Sequence, residues 1–102
     1  MARLLLAFLL ACGTTAWAEN SPNPDALQRL VHQDCGSCHG LTLKGGLGPD
    51  IRPQSLSHYD AEILAEVILE GIPGTAMPPW RPLITTAEAD WIANYLLQSE
   101  SQ

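Results

Sequence analysis

The sequence predicts a small all-α domain, and three observations predict it. Apolar residues recur at helical spacing in three segments, no segment alternates with the two-residue period of a strand, and glycine and proline crowd the stretches between. At 102 residues the chain holds one domain at most.

The first 18 residues read as an export signal rather than as part of that domain. Arg3 gives a positive start, Leu4 to Ala11 is an unbroken apolar run, and Ala16, Trp17 and Ala18 form a small-x-small site before Glu19. The run is well short of the roughly 20 apolar residues of a spanning helix. Cleavage after Ala18 is therefore expected, leaving residues 19–102 as the folded domain. A competing reading comes from Leu9, Leu10 and Ala11 before Cys12, which loosely match a bacterial lipoprotein cleavage box; an acylated Cys12 would tie the domain to a membrane.

A domain this short has a marginal apolar core of its own, so a large apolar cofactor would assist it. Arg29, Lys44, Arg52 and Arg81 are its basic residues against 11 acidic ones, a net charge of −7. That argues against nucleic acid or an anionic membrane surface as partner.

The first helix is expected from about Pro24 to Asp34, with Leu27, Leu30 and Val31 at helical spacing and Pro24 tolerated at the start, where an N–H has no partner to lose. It delivers the chain to Cys35. Leu41 to Leu56 is a loop broken by Gly45, Gly46, Gly48, Pro49 and Pro53. A second helix begins near Ser57 or Asp60 and ends at Gly71, with Ile63, Leu64, Val67 and Ile68 as its apolar stripe, Glu62, Glu66 and Glu70 opposite, and Gly71 suited to a left-handed C-cap. Gly71 to Leu83 is a proline-rich loop. Thr85 and Glu88 form a capping-box pattern opening a last helix to about Ser99, on which Trp91 and Tyr95 share a face beside Ile92 and Leu96.

Cys35, Gly36, Ser37, Cys38 and His39 make C-x-x-C-H. Two thiols at this spacing suit thioether bonds to the two vinyl groups of a haem, and the adjacent imidazole reaches the iron. A thioredoxin-like pair would need strands around it, and a zinc site would need a second Cys or His pair at zinc spacing; neither is present in the sequence. The opposite face of the iron calls for a second axial ligand. Met77 is the methionine left once Met1 departs, and it sits in G-T-A-M-P-P, residues 74–79, where prolines stiffen the backbone around a weak thioether ligand. His32 and His58 are the alternative ligands, His32 on the helix leading into the motif and His58 at a helix start, positions that more often face solvent.

The whole arrangement resembles a small class I cytochrome c, over nearly all of residues 19–102: a helix ending at C-G-S-C-H, a Gly-Pro loop, a middle helix, a methionine loop and an aromatic C-terminal helix. The resemblance implies that the Pro49 carbonyl, in L-G-P-D, accepts a hydrogen bond from the His39 nitrogen that does not bind iron. It also implies that Trp91 or Tyr95 lies where the first and last helices cross, with Ala26 the nearest small residue to the usual crossing position. Trp80 and Arg81, after the methionine, and Lys44 with Gly45 and Gly46 would then lie near the exposed haem edge, with Trp80 preferred as cover for the haem or core.

A narrower likeness is carried by Q-D-C-G-S-C-H-G-L-T-L-K-G-G-L-G-P, residues 33–49, and G-T-A-M-P-P-W-R-P, residues 74–82. These are similar to the small cytochrome c55X type, called NirC, found with the haem d1 nitrite reductase of denitrifying bacteria. That likeness implies a periplasmic monohaem electron carrier, not an enzyme, that supplies nitrite reductase, with a further role in late haem d1 formation. A haem closed on both faces has no open position for substrate, so single-electron transfer also follows from the coordination itself. The rival readings are an electron partner in haem d1 maturation and a ligand-binding or sensor haem with an open iron.

Overall fold

The computed structural model describes residues 21–98, together with Gly13. The expected leader, the Ala18 cleavage point, Cys12 and the end of the last helix at Ser99 lie outside the described residues. Within them every regular element is helical and there is no strand: α1 is Pro24–Leu30, α2 Gly36–His39, α3 Ala61–Glu70 and α4 Thr86–Gln98. No helix among the described residues is long and apolar enough to cross a membrane.

Asn23 starts α1, its side-chain oxygen accepting from Ala26 N–H at 3.3 Å, with Pro24 in the first turn. The helix does not stop at Asp34. Residues Val31–Cys35 form a π-helical turn, in which Gly36 N–H donates to Val31 O, and the chain runs on through α2. The turn accommodates one extra residue without breaking the helix, so the cysteines and His39 ride on a continuation of α1 rather than following its end. Gly40, at φ +87°, terminates α2, and a Cβ there would lie 2.6 Å from Gly45 O.

Asp60 opens α3 by accepting from Ile63 N–H at 2.8 Å. Its buried face is Leu64, Ala65, Ile68 and Leu69, one position round from the expected stripe; Val67 is half-buried and Ile63 is 52% exposed. α3 packs on α4, whose buried face is Ala89, Ile92, Ala93 and Leu96, and this packing sets the rotation of the helix. Gly71 has the expected positive φ, +67°, but its ψ of −171° is extended, because the chain leaves at once for the next loop. Thr85 and Glu88 form a reciprocal cap on α4: Thr85 N–H donates to Glu88 Oε1 at 2.9 Å and Glu88 N–H to Thr85 Oγ1 at 3.1 Å.

α1 packs on α4 through Leu27 and Val31. Ala26 is exposed, outside the buried core that the first and last helices share. Trp91 and Tyr95 stack at 5.2 Å, nearly parallel, and Tyr95 meets His32 across the helices.

Candidate functional site

The α1–α2 continuation carries Cys35, half-buried, and Cys38, exposed, both as free thiols, and brings His39 to its last turn. Burial, with Asp34 beside it, pushes the Cys35 thiol up to about 11, so it stays protonated at neutral pH. His39 Nδ1 lies 2.7 Å from Pro49 O. A carbonyl only accepts, so Nδ1 carries the proton and Nε2 keeps a lone pair free to bind a metal.

The loop after His39 is laced to that turn by its own backbone. Gly45 N–H donates to His39 O and Gly48 N–H to Cys38 O, each at 2.8 Å. Gly48 lies flat on the imidazole: a Cβ there would come 2.7 Å from Cε1 and 2.8 Å from Nδ1. Leu43 turns back from the loop into the core, fully buried, at φ +62°. Asp50 and Arg52 close the loop with a side-chain ion pair, Arg52 Nη2 to Asp50 Oδ2 at 2.6 Å, and the guanidinium holds the Asp50 carboxyl well below the usual carboxylate range. By spacing alone these glycines are breakers of regular structure; the signal of their second role is the run K-G-G-L-G-P so soon after the histidine.

Met77 is half-buried on a different segment, the loop after α3. Trp80, beyond it, packs against the core, while Arg81 is exposed and pairs with Glu70 at the end of α3. Lys44 is exposed. His58 is exposed and lies on Tyr59, their ring centroids 4.3 Å apart. His32 does not simply face solvent: its Nε2 is 2.8 Å from Tyr95 Oη and its Nδ1 3.4 Å from Leu41 O, so Nδ1–H donates and Nε2 accepts the phenol proton. Both ring nitrogens of His32 are thereby engaged.

These residues fit a haem. Among those described, no three His, Cys, Asp or Glu side chains converge to hold a bare metal ion. Two thiols and one oriented imidazole on a single turn are instead the donor set of a macrocycle that brings its own nitrogen ligands. Leu41, Leu47 and Ile72, all large and exposed, lie on the two loops that carry Pro49 and Met77 and offer apolar surface to such a ring.

Residues 22–96 match the family described as cytochrome c oxidase, cbb3-type, subunit III. Cytochrome c55X of Paracoccus denitrificans is 52% identical over the whole of both chains. This chain belongs to the cytochrome c55X family. Cytochrome c55X of Pseudomonas aeruginosa is 41% identical, covering 95% of this chain and 84% of that one. The solved structure of a c-type cytochrome NirC superposes with a TM-score of 0.72 at 44% identity, covering 76% of this chain and 91% of the other. The dihydro-heme d1 dehydrogenase of the same Pseudomonas is 37% identical over 92% of this chain, which spans 18% of that longer protein. As a c-type cytochrome the chain carries covalently bound haem c with iron, and it is an electron carrier, not an enzyme.

Proposed function

We propose that this cytochrome, exported to the periplasm with residues 1–18 removed, passes single electrons to the haem d1 nitrite reductase in denitrification. Cys35 and Cys38 would hold the haem through thioethers, and His39 Nε2 and the Met77 sulfur would bind its iron. The bound haem supplies an iron that takes up and gives back one electron. The chain's part is to hold the ligands: Pro49 O and Gly48 fix the His39 ring, and Met77 would supply a sulfur that keeps water and small ligands from the iron. The observation that carries this reading is the His39 Nδ1 to Pro49 O hydrogen bond of 2.7 Å, which leaves Nε2 as the metal-binding nitrogen beside two free thiols.

Stopped-flow mixing of the reduced holoprotein with haem d1 nitrite reductase tests the partner. Rapid reoxidation at a rate that falls with salt is expected, and no transfer on the timescale of turnover overturns it. A second reading, electron exchange during haem d1 maturation, draws support from the likeness to dihydro-heme d1 dehydrogenase. Faster exchange with that dehydrogenase than with the reductase favours it. The intact mass separates the leader readings: residues 19–102 plus one haem for cleavage after Ala18, a diacylglycerol on Cys12 for a lipoprotein.

A further inference from the structure

The end of α3 and the Met77 loop are built as one unit. The last carbonyls of a helix lack donors within the helix. Here Gly71 N–H donates to Val67 O at 2.9 Å, and the far side of the loop returns to cap the next two, Trp80 N–H to Ile68 O and Arg81 N–H to Leu69 O, each at 3.1 Å. Inside the loop Ile72 N–H donates to Met77 O at 3.2 Å. The Thr75 hydroxyl donates to Ile72 O at 2.7 Å and accepts from Met77 N–H at 3.3 Å.

Gly71 stands where the loop presses on the helix. Its φ is +67°, and a Cβ there would lie 2.7 Å from Met77 O, 2.7 Å from the Pro78 carbonyl carbon and 2.8 Å from Pro79 N. All three are backbone atoms, and two belong to prolines whose fixed φ resists a sideways step. Gly74 provides the contrast within the same loop: φ is +80°, but a Cβ there meets nothing within 4 Å.

We propose that Gly71 and Thr75 are positioning residues for Met77, Gly71 by leaving room for the Met77–Pro79 backbone against the end of α3 and Thr75 by tying the Met77 N–H. Together they set where the Met77 thioether is presented. This rests on Met77 as an iron ligand.

The test compares holoproteins by the ferric sulfur-to-iron charge-transfer band, the reduction potential, and titration with imidazole as a competitor for the methionine's place. Gly71→Ala is expected to weaken the band, lower the potential and require roughly tenfold less imidazole. Gly74→Ala, with a positive φ but no clash, is expected to stay within about twofold of wild type. Thr75→Val falls between, and Thr75→Ser restores the wild-type values. Indistinguishable Gly71→Ala and Gly74→Ala proteins overturn the proposal; if Gly71→Ala does not accumulate, a Thr75→Val protein matching wild type overturns it instead. A wild-type band that survives in Met77→Ala marks the different failure, that of methionine ligation itself, and removes the proposal with it.

Discussion

The two loops that flank the site have similar compositions, yet they are held in different ways. The segment after His39 folds back on the turn that bears His39: its hydrogen bonds to Cys38 O and His39 O, and from His39 to Pro49 O, span ten residues or fewer. The Met77 loop instead hangs on the far end of α3, through Ile68 O and Leu69 O, with bonds reaching twelve residues along the chain. Closing ten or twelve residues costs nearly the same chain entropy, so what separates the loops is burial: Leu43 anchors the first one in the core. The Met77 side folds back on α3, the helix before it, and no residue from Ile72 to Leu83 is buried. On the ligation proposed above, the methionine is expected to open first when the protein is stressed and the histidine to stay.

The largest effect that would break the comparison is at Gly48. Gly48→Ala drives a methyl into the His39 ring, so haem-bearing protein recovered from cells is expected to fall about tenfold or more, while Gly74→Ala changes it by less than about twofold. Equal yields, read by haem absorbance per cell mass, would mean that the His39 ring gives way to the added methyl and does not need the close approach of Gly48.

Leu43 anchors the first loop in the core. Leu43→Ala is expected to cost about 2–5 kcal/mol in denaturant unfolding, since the side chain is fully buried and the positive φ remains. A loss under about 1 kcal/mol would show that backbone bonds alone hold this loop.

The Asp50 carboxyl sharpens the comparison by pH. Its folded pKa is depressed by the Arg52 guanidinium, so its contribution to stability is fully present above the ordinary carboxylate pKa of about 3.9 and is lost as pH falls below that toward the folded value. Arg52→Gln should raise the Asp50 pKa toward its ordinary value, as followed by NMR titration, and flatten the stability profile below about pH 4. An unchanged Asp50 titration would detach the pair from the loop's stability.

The smallest expected effect is at Glu70 and Arg81, whose side chains are 54% and 56% exposed. Glu70→Gln should cost less than about 1 kcal/mol and leave the ferric spectrum unchanged, because the loop is held to α3 by backbone bonds. A weakened charge-transfer band in this variant would assign the anchoring to the ion pair.

The elements that sequence alone determined are those whose signals are local. Asp60 before α3 and the Thr85–Glu88 capping box satisfy helix ends with residues three positions away, Pro24 in a first turn removes a donor that had no partner, and spacing alone groups Cys35, Cys38 and His39 as one candidate site. Tertiary structure decided what depends on a distant neighbour. The buried face of α3 turned to Leu64, Ala65, Ile68 and Leu69, packed against α4, a choice that the overlapping apolar positions of the sequence left open. Residues Val31–Cys35 took a π-helical turn where an ordinary helix end was expected, and His32 was drawn to Tyr95, 63 residues away. Gly48 and Gly71 matter for what lies against them, the His39 ring and the Met77–Pro79 backbone. A glycine in a sequence records permission for an unusual backbone or a close approach, and only the folded chain supplies the atom that comes close.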